Sequence, residues 1–93
     1  MKVTVYCRND DPYSQMLKNI LNMNNVPFEN KEVSRNQETF QEMCDLSGQK
    51  STPVLVINGH AYSGFDREMI KDILQKESDL ERQSAEVSHD ETA

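Results

Sequence analysis

The residues with the strongest chemical potential in this 93-residue chain lie within the stretch VTVYCRNDDPYS, where Cys7, Arg8, Asp11 and Ser14 fall close together. A cysteine there raises thiol chemistry, which needs an exposed sulfur with a depressed pKa. Without those conditions a free cysteine is a small buried apolar residue. Asp11 followed by Pro12 reads as a helix start, aspartate in the N-cap and proline at the first helical position. Ser14 comes one turn later with no histidine near it in sequence, so a serine nucleophile with its own base is not expected. The other cysteine, Cys44, falls on an apolar helical stripe and reads as core, and a Cys7–Cys44 disulfide is not expected. Two cysteines with His60 and His89 make no cluster at metal-ligand spacing, so no metal site is expected.

The elements that must position these residues are legible from periodicity. Lys2–Tyr6 alternates as a short strand with Val3 and Val5 on one face. Met16, Leu17, Ile20, Leu21 and Met23 give a helical stripe from Pro12, stopped at Asn24-Asn25. Residues 28–33 read as a weaker strand between Pro27 and Ser34. Phe40, Met43, Cys44 and Leu46 mark a second helix that ends at Ser47-Gly48. Pro53–Ile57 is a continuous apolar run suited to a central strand, and Asn58-Gly59 is a hairpin signal returning through Ala61 and Tyr62. Asp66 then caps a last helix whose Met69, Ile70, Ile73 and Leu74 face the sheet. The order βαβαββα implies a four-stranded mixed sheet with helices on both faces. His60 is expected exposed at the hairpin tip. Met16, Met23, Met43 and Met69 are expected as core filler.

Charge divides the chain unevenly. The net charge is −6, and most of it lies from Glu77 onward, where Glu77, Asp79, Glu81, Glu86, Asp90 and Glu91 face Arg82 alone. Residues 1–76 are accordingly read as the folded domain, and 77–93 as an acidic, flexible or partly helical tail. The tail is a solvated extension on composition, with a role in protein assembly as the minority reading. No basic stripe is available to neutralise phosphates, so nucleic-acid binding is not expected. No apolar stretch has the length of a membrane span, so a soluble cytoplasmic protein is expected.

Two segments, VTVYCRNDDPYS and SGQKSTPVLVINGHAYSGFD, together with the element order, resemble the glutaredoxin family of the thioredoxin fold over residues 2–75. The family's Y-T-K-P-x-C-P-Y-C corresponds to residues 6–14 here. Asp11 stands where the family has its nucleophilic cysteine and Ser14 where it has the resolving one, so Asp11-Pro12-Tyr13-Ser14 replaces C-P-Y-C. Neither can form a mixed disulfide, so the dithiol cycle is not expected to run. The field at a helix N-terminus that favours a thiolate also suits a fixed carboxylate. Iron–sulfur binding of the monothiol type, which needs a cysteine at position 11, is disfavoured.

The rest of the glutathione-binding pattern is retained. By resemblance, Arg8 meets a glutathione carboxylate and Tyr13 flanks the bound peptide. Thr52-Pro53 corresponds to the family's cis-proline site, whose preceding backbone pairs with the cysteine portion of glutathione. Gly64, Phe65 and Asp66 match the segment that holds the γ-glutamyl end. The resemblance therefore implies a glutaredoxin-like protein without both active-site cysteines. Its expected role is a noncatalytic or atypical redox module with a retained cleft for glutathione or a peptide, requiring no cofactor. The alternative is a monothiol oxidoreductase acting through Cys7 in a displaced position.

Overall fold

The computed structural model describes residues 1–92, with side chains described through Gln83. Its order is β1 (Val3–Cys7), α1 (Pro12–Met23), β2 (Glu29–Glu32), α2 (Gln37–Ser47), β3 (Val54–Ile57), β4 (His60–Ser63) and α3 (Arg67–Thr92). The sheet runs β2-β1-β3-β4, with β1 parallel to β2, antiparallel to β3, and β3 antiparallel to β4. This is the thioredoxin-like α/β architecture expected from the sequence, and the two central strands are those that end at the candidate site.

Two apolar layers enclose the sheet. On one face Val3, Val5, Cys7, Leu55 and Ile57 pack with Leu17, Ile20 and Leu21 of α1 and Ile70 and Ile73 of α3. On the other, Tyr6, Val33, Val54 and Val56 pack with Met43 of α2. The polar-looking positions of β1 are therefore buried too. Tyr6 places its ring under α2 while its hydroxyl donates to Glu42 at 2.7 Å, which lets a polar tip sit at the edge of an apolar layer.

Local chemistry sets the boundaries. Asn36 caps α2 by accepting from the Thr39 N–H at 3.1 Å, and Gly48 ends it at φ 74°, a left-handed conformation that glycine adopts without a Cβ penalty. Asn58 and Gly59, at φ 51° and 87°, form the tight turn that joins β3 to β4. Strand β2 is shorter than the expected span of 28–33. Its sequence ENKE lies at a sheet edge, where few apolar contacts hold the register.

Two expectations change. The acidic segment is helical, one of its two expected states, since α3 runs on to Thr92, but its first residue belongs to the folded domain. Glu77 itself is only 1 % exposed, and its Oε2 accepts from the Tyr62 hydroxyl at 2.5 Å and meets His60 Nδ1 at 2.7 Å. Glu81, one turn later, lies 2.9 Å from the amino group of Met1. Hydrogen bonding to β4 is what lets a carboxylate replace an apolar residue under the helix. The side chains of Glu86, His89, Asp90 and Glu91 lie outside the described residues. Among the methionines, Met43 is buried, but Met16, Met23 and Met69 are exposed, since they sit at the margins of the stripes rather than at their centres. Among the described residues, no helix is long and apolar enough to cross a membrane.

Candidate functional site

The site is built where the β1–α1 junction meets the turn before β3. After Cys7 the chain turns tightly, the Asp11 N–H donating to the Arg8 carbonyl at 3.0 Å, which brings Asp11 to the N-cap of α1. Asp11 Oδ1 accepts from the Tyr13 N–H at 3.0 Å, as an N-cap should. Oδ2 accepts from Ser14 Oγ at 3.0 Å and, from the turn before β3, from Thr52 Oγ1 at 2.7 Å. Thr52 precedes Pro53 in a cis peptide bond. Burial by itself pushes the Asp11 carboxyl up, but the hydrogen bonds from Thr52, Ser14 and Tyr13 outweigh it and hold the group below its ordinary value. The result is a fixed anion clasped between helix and turn.

This clasp decides what Ser14 and Asp11 can do. Ser14 is fully buried, and its hydroxyl is committed as donor to Asp11 while accepting from the Arg8 N–H at 3.4 Å. A carboxylate held below its ordinary pKa is a weak base, and a buried hydroxyl cannot reach a substrate carbonyl. The pair ties the start of α1 to the turn before β3 and is not arranged as a nucleophile with its base.

Cys7 is not part of that constellation. Its side chain enters the core between the sheet and α1 with no exposed surface, donates to Asn30 Oδ1 at 3.0 Å, and has Lys18 Nζ 3.9 Å away. Burial raises its pKa; the Lys18 ammonium pulls it back in part, and the net shift remains upward. Cys44 is a free, half-buried thiol on the opposite side of the sheet, which is the geometric reason the two do not bridge. Among the described residues no group of three metal-ligating side chains converges.

The remaining expected residues divide around the clasp. Tyr13, 57 % exposed, and Phe65 face each other with ring centroids 5.8 Å apart and planes tilted by 38°, forming an aromatic wall. Gly64 takes φ +83°, which turns the chain into Phe65 and Asp66. One oxygen of Asp66 is used locally: Oδ1 accepts from the Glu68 and Met69 N–H groups at 3.0 and 3.3 Å, so this residue caps α3. Arg8 leans the other way, its guanidinium 5.9 Å from the centre of the Phe40 ring. There it opens onto a groove of about 520 Å³ that also includes Arg35, Asn36 and Gln37. Sequence reading missed Arg35 and Gln37. The available signal was a basic residue just ahead of a helix start, where cation and N-terminal N–H groups together suit a carboxylate.

Comparison with known proteins follows the same lines. A family model described as Glutaredoxin matches residues 3–62. The chain is 27 % identical over 74 residues to an uncharacterized glutaredoxin-like 8.6 kDa protein from the rubredoxin operon of Clostridium pasteurianum, covering 80 % of this chain and 99 % of that protein. Among solved structures, the thioredoxin-like protein BC3987 superposes with a TM-score of 0.71 at 30 % identity, over 76 % of this chain and 97 % of the other. The glutaredoxin-like protein NrdH-redoxin of Escherichia coli gives 0.69 at 28 % identity, over 77 % and 93 %.

Proposed function

Because the chain belongs to the glutaredoxin family yet holds a carboxylate where thiol exchange needs sulfur, we propose that it is a noncatalytic, redox-related binding module whose cleft takes glutathione or an extended peptide. The observation that carries this reading is the Asp11 clasp. Its carboxylate accepts from Tyr13, Ser14 and Thr52, so the helix N-terminus that would stabilise a thiolate is already neutralised by a group unable to form a disulfide. Around it stand an aromatic wall at Tyr13 and Phe65 and the backbone edge at Thr52-Pro53, and a neighbouring groove on the α2 side carries Arg8 and Arg35. A small peptide with carboxylate ends matches that set of groups. Binding of this kind requires no cofactor. Two free thiols suit the reducing cytoplasm, where we place the protein.

The test pairs binding with exchange. Amide chemical shifts of Tyr13, Thr52 and Phe65 are expected to move on adding reduced glutathione, while glutathione-dependent reduction of a small disulfide stays at the no-protein rate. Asp11→Cys, which places sulfur at the same N-cap, is expected to raise that rate above wild type. Reductase activity in the wild-type protein overturns the reading.

A displaced-thiol enzyme is the second reading, favoured by the Lys18 ammonium beside Cys7. Burial and the upward net shift of the thiol weigh against it, since the attacking species is the thiolate. Incubation with oxidised glutathione followed by intact-mass measurement separates the two. No Cys7-dependent adduct is expected on the native protein, and rapid addition of one glutathione that is lost in Cys7→Ser establishes the enzyme instead.

A further inference from the structure

An extended ligand that pairs with the backbone at Thr52 lays its own side chain alongside that of Thr52, because directly paired residues keep their Cβ atoms about 4.5–5.5 Å apart. Thr52 Oγ1 is itself 2.7 Å from Asp11 Oδ2. The ligand's central side chain therefore comes to lie next to the Asp11 carboxylate. The Asp11 carboxylate accepts from the Tyr13 N–H and from the Ser14 and Thr52 hydroxyls, and the residue stays partly exposed. Its negative charge favours a hydrogen donor brought beside it and repels an anion. The guanidinium of Arg8 is turned away over the Phe40 ring on the α2 side, so it is not placed to offset that repulsion.

Resting on the binding role just given, we propose that Asp11 makes the cleft selective for the reduced, protonated form of a glutathione-class thiol peptide, and that it rejects ligands whose sulfur bears negative charge. The hydroxyls of Thr52 and Ser14 are positioning groups in this scheme, since they hold the carboxylate in place. The chemistry is the inverse of a thiolate site. A thiolate is consumed by an electrophilic sulfur, whereas this carboxylate only sorts ligands by the charge and donor capacity of the sulfur they present. The protein then reports the reduced state of a thiol without altering it.

Calorimetric titration of the full chain with reduced glutathione, S-methylglutathione and glutathione sulfonate tests this. These share one backbone and differ only at sulfur: a donor, a neutral group without a donor, and a fixed anion. Wild type is expected to bind reduced glutathione most tightly, with S-methylglutathione weaker and the sulfonate weaker by at least about tenfold, since like charges at contact in a partly exposed site repel by that much. In Asp11→Asn, of the same shape without the charge, the gap between thiol and sulfonate is expected to close. Sulfonate binding to wild type as tightly as the thiol overturns the proposal, as does a gap that persists in a folded Asp11→Asn. If that variant does not fold, the wild-type order across the three compounds decides alone. Binding of none of the three to wild type is a different failure, because it removes the ligand reading itself.

Discussion

At the scale of the residue, Asp11 is both the N-cap of α1 and the acceptor that ties Ser14 and Thr52 together. As an N-cap it stabilises α1, and Asp11→Ala is expected to lower unfolding free energy by about 1 kcal/mol in denaturant titrations. Its folded-state pKa lies below the ordinary value of 3.8. The ionised form is thus favoured by folding, and its stabilisation is fully present above pH 3.8 and disappears as pH falls through the folded-state value. The wild-type and Asp11→Ala unfolding curves should accordingly converge in acid, and a difference that stays constant down to the acid transition contradicts the hydrogen-bonded carboxylate. Asp11 was legible on its own as a cap, and Thr52-Pro53 as the match to the family's cis-proline site. Their contact was not, because the two lie 41 residues apart and a propensity pattern says nothing about which side chains a topology brings together. Cys7 teaches the same lesson in reverse. Its sequence position beside the junction made it a thiol candidate, and only the inward-facing register of β1 places it in the core.

At the scale of the element, α3 departs furthest from its sequence. The strands, α1, α2 and the Asn58-Gly59 hairpin were readable because alternation, apolar stripes, caps and turn residues all agree there. From Glu77 on, composition reports only charge, and charge normally means solvent. His60 and Tyr62 on β4 supply the partners that reverse this at position 77. Glu77→Ala is expected to cost about 1–3 kcal/mol, since it leaves the Tyr62 hydroxyl without its acceptor and opens space under the helix. The pH dependence has a sign on each side. Burial pushes the Glu77 carboxyl up, but Tyr62 and His60 more than compensate and hold it below 4.5, so its contribution is present above pH 4.5 and is lost as pH falls through the folded-state value. The hydrogen bond to Glu77, with burial, pushes the Tyr62 phenol from 10.0 up to about 12, so that contribution is present below pH 10 and is lost as pH rises through about 12. The difference between wild type and Glu77→Ala is therefore expected to be largest between these limits. A flat difference across the whole range refutes the coupled network.

At the scale of the whole molecule, the folded unit ends later than composition implies. A chain ending at residue 76 removes Glu77 and its bonds to β4, and its melting temperature is expected to fall by at least about 5 °C. A chain ending at residue 83 retains Glu77 and Glu81 and is expected to melt close to the full chain. Equal melting of the two truncations rejects the boundary drawn here. The same global view explains why the architecture was recoverable from sequence while its polar contacts were not. The sheet order follows from two buried central strands flanked by weaker ones, a pattern written in apolar residues, whereas both the Asp11 clasp and the Glu77 network join polar residues whose partners depend on the finished topology.

The sheet's first edge, β2, reads ENKE, with Glu29, Lys31 and Glu32 along an open strand. In colloidal terms this is a guard against fibrils. A second copy adding in register there stacks Glu29 on Glu29 and Lys31 on Lys31, so growth meets like-charge repulsion at each step, while the apolar strands β1 and β3 have no free edge to offer. Replacing Glu29 and Lys31 together with valine is expected to leave the monomer's fold in place and to shorten the lag before thioflavin-positive aggregates form.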